Sequence, residues 1–505
     1  MVSSIGDILK ANFTGQIVGR LFTFLINMYF IRTVSGEVLG LINVRLNLLY
    51  MTINFLVSEP LRKTCLSADL TVKDSMVYAW ISPILAIPIA LLLSFVWTLL
   101  PTMSAVSEAD YTVLVGCFCM ASLMESLAEP LAILAMKNGQ NNLFAFSQSF
   151  LLISNKFVAL FLILAGVSST TALCCGQLFG SLIYTLLLYF SFIRAYFRKE
   201  LDFWPFMQMV PKYELKYLRL LATLLLHSAQ KQVLTDGSAY VMTFTKQLSL
   251  SEQAAYDAIE RLGSLVVRIV LRPLEESCAV YFSSRLERSQ AASVPRPLIE
   301  FFQALLRNIF TLGMVVCVFA IPYSSIAVQI YGGELLKQNR GAFILTLYAF
   351  YLLSMAMNGL LECFAFAAMS SEGILKHTKF LFISSLIHLA LNIGLMHYIG
   401  APGFVIANIA NSLLRAGYNW MYIAQMRGLN NEIFSIWKVL PDWNVFTQMF
   451  MSLVVTTLSG LIFFSTPGLA YTGAHLAVGL VMFVQMMIFL LQNGEFYQRL
   501  WEKLD

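Results

Sequence analysis

The sequence predicts an all-α, polytopic membrane protein of about 14 transmembrane helices: two parallel-repeat six-helix bundles followed by two C-terminal helices. Three observations predict it. Apolar residues make up 58% of the 505 positions and charged residues only 12%, about half the share usual in soluble chains. Apolar runs of roughly 20 residues, each long enough to span a bilayer, recur along the whole chain. Two sequence patterns also recur in the same order, six spans apart.

The candidate spans lie near 14–32, 39–58, 77–100, 111–136, 143–165, 172–197, 217–244, 255–282, 298–322, 341–370, 378–396, 401–425, 444–466 and 470–492. The first is expected to act as an uncleaved anchor, because the segment before it is short and polar. Those near 39–58, 217–244 and 255–282 are the least hydrophobic, so a hydropathy plot alone could pass over them. Lys and Arg concentrate in the even-numbered loops, from Arg62, Lys63 and Lys73 through Arg194, Arg198 and Lys199 to Lys438. The odd-numbered loops hold only Arg32, Lys246, Lys337 and Arg340. The positive-inside rule therefore places the even loops and both termini in the cytosol. The resulting division is an N-terminal bundle over 1–197, a cytosolic linker over 198–216, a C-terminal bundle over 217–425, and two helices with a tail over 426–505.

The halves read as repeats. Span two ends in Glu59-Pro60-Leu61-Arg62-Lys63-Thr64-Cys65 and span eight in Arg272-Pro273-Leu274-Glu275-Glu276-Ser277-Cys278. The frame is shared and the charge signs are swapped. Span four carries Glu129-Pro130-Leu131-Ala132-Ile133-Leu134-Ala135-Met136, and span ten Glu362-Cys363-Phe364-Ala365-Phe366-Ala367-Ala368-Met369; both read E-x-x-A-x-x-A-M. An even number of spans between copies makes the repeats parallel. The swapped signs suggest that Glu59 faces Arg272 and Arg62 faces Glu275 across a cytosolic seam, as gating pairs. The alternative is interfacial charge reaching for water.

The most unusual stretch is Arg261–Glu276. Asp257, Arg261, Ser264, Arg268, Arg272 and Glu275 recur at steps of three and four, which places them on one helical face. Pro273 lacks an N–H and is expected to kink the helix near Ile269. Charges at membrane depth are costly and normally face a bundle interior or a wet cavity. A cationic stripe on a kinked, otherwise apolar helix suggests a cavity for an anion.

Other intramembrane groups extend that reading. Arg20, Arg45, Lys156, Arg268 and Arg415 are the candidate cavity cations, suited to phosphate because arginine is permanently charged and can bind bidentately. Each could instead be paired with a neighbouring carboxylate. Asn43 and Asn47, with Asn54 and Ser58, form a polar face on span two that suits hydroxyl-rich ligands or helix–helix contacts. Lys231 and Asp236 flank a stretch ending in Asp236-Gly237-Ser238, where the helix could break as it does at transporter sites. Glu125, Glu129 and Glu362 could carry protons or hold structure. Arg62, Arg261, Arg272, Glu59, Glu275, Glu276 and Glu362 complete the polar and gating set.

Several chemistries are excluded by motif. The eight cysteines form no CxxC and no metal-ligand spacing, so they read as small buried apolar residues. There is no G-x-x-x-x-G-K-[ST], H-E-x-x-H or G-x-S-x-G. Short non-cytosolic loops leave little room for an extramembrane active site. Neither an enzyme nor a cofactor is expected, and basic residues beside apolar spans give no nucleic-acid signature.

Several segments together resemble the eukaryotic RFT family, proteins tied to dolichol-linked oligosaccharide assembly in the endoplasmic reticulum. They are Asn43-Val44-Arg45-Leu46 with Leu48-Leu49-Tyr50; Lys231 to Gly237 with Tyr240 to Phe244; Tyr256-Asp257 with Leu262 to Val266; Pro273 to Ser277; Tyr331-Gly332-Gly333; and Asn358-Gly359 with Glu362 to Phe364 and Phe366 to Ser370. The resemblance implies the fold of the multidrug and polysaccharide-lipid exporter superfamily, with two six-helix bundles around a central cavity. It implies movement of a mannose-rich oligosaccharide-diphosphate-dolichol from the cytosolic to the lumenal leaflet of the endoplasmic reticulum membrane. It also admits other dolichol-pathway enzymes as partners. Ser238-Ala239 departs from the family pattern, which carries further charge after the acid-Gly pair. Two alternatives stay open: a non-transport accessory or scaffold protein of the same pathway, and a cation-coupled small-molecule exporter of the same fold.

Overall fold

The computed structural model describes residues 23–66, 70–100, 108–199, 214–245, 247–286, 294–426, 434–464 and 468–492. Among these the chain is helical throughout and has no strand. The helices are α1 (23–33), α2 (Gly36–Leu39), α3 (Asn47–Cys65), α4 (Val72–Ala79), α5 (Ile81–Thr98), α6 (Glu108–Lys137), α7 (Asn141–Leu164), α8 (Ser169–Phe197) and α9 (Leu215–Thr235). They continue as α10 (Gly237–Phe244), α11 (Leu250–Val266), α12 (Arg272–Ser283), α13 (Arg296–Gln338), α14 (Gly341–Ala368), α15 (Ser371–Ile399), α16 (Pro402–Ala424), α17 (Trp443–Ser459) and α18 (Leu469–Gln492). Among the described residues, ten helices are long and apolar enough to cross a membrane. The 36–65 helix is one of them, while 217–244, 255–282 and 402–424, each interrupted by charge, are not.

The chain divides into two compact units, Met1–Asp257 and Ala258–Asp505. In the first, α3 packs against α5, α6 and α9, and α6 and α7 both pack against α8. Small residues allow this. Ala128, Ala132 and Ala135 of α6 are fully buried beside Tyr184, Leu188 and Phe192 of α8. A Cβ at Gly176 would meet the Asn155 backbone oxygen at 2.5 Å, so α7 and α8 touch closely there.

In the second unit, α14 is central and packs against α12, α13 and α16. Phe282, Phe302 and Phe364 interlock, with Phe302 and Phe364 stacked at 4.2 Å. The C-terminal pair α17–α18 docks on α13 through Val315, Val318, Val445, Met449, Met486 and Leu490. The outer faces are left apolar: Leu91, Leu92 and Phe95 on α5 and Leu480 and Val481 on α18 are all exposed. In water such patches would be a liability; in lipid they are the solvated surface.

Local irregularities matter for the site. The kink expected from Pro273 is a π-helical turn over Val267–Leu271, in which the Arg272 N–H reaches the Val267 carbonyl. The extra residue in that turn rotates the downstream helix about its axis. Arg272 and Glu275 therefore do not continue the face of Arg261, Ser264 and Arg268 as a regular helix would carry them. A second π-helical turn, Gly40–Leu46, opens span two. The break at Asp236 is present, with α9 ending and α10 beginning across it. One expectation is corrected: the segment after 322, expected as a loop, is helical to Gln338. The chain turns only at Gly333, whose φ of 55° is open to glycine.

Gly40 lies so close to Leu250 that a Cβ would stand 2.0 Å from the Leu250 backbone oxygen, whereas Gly417 meets nothing within 4 Å. A backbone atom cannot swing away as a side chain does. Gly40→Ala should therefore lower the unfolding midpoint of the purified protein, by roughly 1–3 kcal/mol of stability. Gly417→Ala in the same assay should leave the midpoint unchanged or raise it.

Candidate functional site

Within the first unit, the charged groups of span two find partners on neighbouring helices. Arg62 donates to Glu129 through both arms of its fork, Nε to Oε1 at 2.5 Å and Nη2 to Oε2 at 2.8 Å. Its guanidinium also lies over the Phe144 ring at 5.0 Å. Glu59 accepts from Lys63 at 2.9 Å and from Lys231 of α9 at 3.0 Å. Glu59 and Arg62 thus both find partners within their own unit, because α6 and α9 pack directly on α3. Lys231 also faces the Phe55 ring. Asp236 accepts from the Gln232 amide at 2.6 Å.

Glu125 lies one turn before Glu129 on α6. It takes Tyr50 Oη and Ser181 Oγ on one oxygen, each at 2.5 Å, and Asn54 Nδ2 on the other at 3.0 Å. Tyr50 and Ser181 are not among the site residues that the sequence singles out. They lie 75 and 56 positions from Glu125, and no local spacing announces such a pairing.

The candidate cations differ in placement. Arg20 lies outside the described residues. Arg45 sits in the Gly40–Leu46 turn at 2% exposure, beneath Trp97, whose indole donates to the Arg45 carbonyl at 2.9 Å. It is enclosed and offers no open face to a ligand. Asn43 and Asn47, in and just after the same turn, are half-buried. Lys156 of α7 lies over the Phe30 ring at 5.8 Å.

In the second unit, Arg268 is exposed and folds back on its own helix, donating to the Ser264 carbonyl at 3.1 Å and its hydroxyl at 2.7 Å. Arg261 is half-buried two turns earlier, and Arg272 and Glu276 are exposed. Glu275 presses onto α14: its Oε1 lies 1.9 Å from where a Cβ on Gly359 would be. One turn along, Glu362 accepts from Arg415 Nη2 at 2.8 Å and from Asn358 Nδ2 at 3.3 Å. Thus Glu275, Asn358, Glu362 and Arg415 converge from α12, α14 and α16. His388 hydrogen-bonds Asn408 at 2.7 Å, and His377 bonds Asn419 at 3.1 Å. No group of three or more metal-ligating side chains is found among the described residues, and the eight cysteines are unpaired.

The two E-x-x-A-x-x-A-M helices have the same local design. Ala132, Ala135, Ala365 and Ala368 are fully buried, and each glutamate holds an arginine from another helix. The chemistry on offer is anion binding by guanidinium groups that are themselves held by acids.

Known proteins share this outline. The model of the Rft protein family matches residues 8–503. A Caenorhabditis elegans protein named Man(5)GlcNAc(2)-PP-dolichol translocation protein RFT1 is 36% identical over 501 residues, covering 95% of each chain. A Xenopus tropicalis protein of the same name is 31% identical, covering 92% of this chain and 90% of its own. Among solved structures, the lipid II flippase MurJ aligns with a TM-score of 0.66 at 13% identity, over 96% of this chain and 99% of its own. A MATE family multidrug resistance transporter of the MOP superfamily aligns at 0.60 and 11%, over 81% and 95%. These two likenesses establish the fold.

The Arg62–Glu129 pair can be tested directly. Glu129→Ala leaves a largely buried guanidinium without its acid and should cost about 3 kcal/mol of stability. Replacing both, as Arg62→Met with Glu129→Leu, should recover most of that loss in the same unfolding measurement.

Proposed function

The chain belongs to the Rft protein family, and from that premise we propose that it carries Man(5)GlcNAc(2)-PP-dolichol across the endoplasmic reticulum membrane, from the cytosolic to the lumenal leaflet, during N-linked glycosylation. The full-length likeness to relatives named for this translocation carries the reading. The chemistry of the side chains supports it. The diphosphate is anionic and suits Arg268, Arg415 and Lys156, with Arg20 and Arg261 as further cations. The sugars suit the amides of Asn43, Asn47 and Asn358. The dolichol tail stays in lipid against the apolar outer faces.

On this reading the protein is a transporter and not an enzyme. It is organised as two six-helix bundles with two added helices, about 14 spans in all, and has both termini in the cytosol. No ATP-binding motif is present in the sequence, so the glycolipid gradient supplies the direction. Asp236 and the π-helical turn at Val267–Leu271 interrupt the two helices whose backbone would have to bend; hinges are commonly such element-terminal residues.

The test uses purified protein in liposomes loaded with the dolichol-diphosphate oligosaccharide. Wild type should speed its exposure on the opposite leaflet, and Arg268→Ala should slow that rate about tenfold, the loss of one charge-assisted contact. A folded protein that binds the lipid without moving it would transfer the role to an accessory of the pathway.

A further inference from the structure

The repeat-related acids hold their arginines in different ways. Glu129 occupies the Nε–Nη2 edge of Arg62 with two hydrogen bonds, so that bidentate edge is already taken. Glu362 occupies only Nη2 of Arg415, at 2.8 Å. Arg415 Nε is buried and has no acceptor among the described residues. A guanidinium presents five donors in a fixed fork that matches phosphate oxygens two at a time. Arg415 therefore keeps an unused edge, while its side chain remains 30% exposed.

The surroundings of Glu362 favour its release. Asn358 Nδ2 already donates to the same Oε2 at 3.3 Å, so it can keep the carboxylate when Arg415 leaves. Glu275 interacts electrostatically with both Glu362 and Arg415. Glu275 also draws on Arg272, ahead of Arg415, and its repulsion of Glu362 favours a cation held beside the two acids. In the first unit the position matching Glu275 in the Pro-Leu frame is Arg62 itself, and the neighbouring acid Glu125 is held by Tyr50, Ser181 and Asn54.

We propose that Glu362 is an internal stand-in for phosphate on Arg415: the diphosphate of the ligand takes the Nε and Nη2 edge, Glu362 swings onto Asn358, and its return expels the diphosphate. This rests on the glycolipid reading above and names the residues that make binding reversible. A site that only attracted the diphosphate would hold it; an acid competing for the same guanidinium sets a limit on affinity. Arg62 has its matching edge filled by Glu129.

The experiment reads binding apart from transport. The full-length purified protein is titrated with inorganic pyrophosphate, and the dissociation constant is taken from the shift of each variant's own unfolding midpoint, so altered baseline stability does not enter. Glu362→Gln should bind about tenfold more tightly than wild type, the scale of one charge-assisted hydrogen bond regained. Glu275→Gln removes the same charge beside the site without untying Arg415, and should change the constant by less than about threefold. Adding Arg415→Gln to Glu362→Gln should abolish the gain. Equal tightening by Glu362→Gln and Glu275→Gln would overturn the proposal, as would a gain that survives Arg415→Gln. Either result would leave translocation, measured separately in liposomes, standing or falling alone.

Discussion

A charge buried among membrane helices has to be held by its opposite, and much of this structure depends on that requirement. Arg62 against Glu129 ties α3 to α6, and Arg415 against Glu362 ties α14 to α16. Removing one member of a buried pair leaves an uncompensated ion, which costs more than the pair itself contributes. The same need explains why Glu125 gathers three donors from α3 and α8, and why Lys231 reaches Glu59. Alanine and glycine at the helix contacts let the backbones come close enough for these links to form.

The helices are legible in the sequence because a bilayer leaves few alternatives: backbone groups must bond within the segment, and runs of about 20 apolar residues mark each crossing. Asp236-Gly237 announces its break, and Pro273 announces a disturbance one turn earlier. The internal repeat is legible in E-x-x-A-x-x-A-M, whose alanines are buried in both copies. Pairing is not legible. The swapped signs point Glu59 toward Arg272, but the packing of α9 on α3 supplies Lys231, 172 positions away. Arg45 has the residue type of a cavity cation and is enclosed under Trp97. The charged stripe from Asp257 to Glu275 assumes a regular helix, and one π-helical turn rotates its second half. Helix rotation and partner choice are three-dimensional quantities that a period along the chain does not contain.

The repeats share a frame and differ in charge. Where the first unit places Arg62, the second places Glu275, and the cation comes instead from α16. Glu129 and Glu125 of the first unit each accept from protein donors on both oxygens. In the second, Arg415 Nε and the Asn358 carbonyl oxygen are buried without a hydrogen-bond partner among the described residues. One arginine is held along its Nε–Nη2 edge and the other through Nη2.

The most direct measurement places the ligand itself. A dolichol-diphosphate oligosaccharide carrying a photoreactive group on the sugar next to the diphosphate would be incorporated with the protein in bilayers, crosslinked and mapped by mass spectrometry. Adducts on the α12, α14 and α16 peptides around Glu275, Asn358 and Arg415 are the predicted result. Adducts confined to the lipid-facing residues of α5 or α18, around Leu91 or Leu480, would contradict the account.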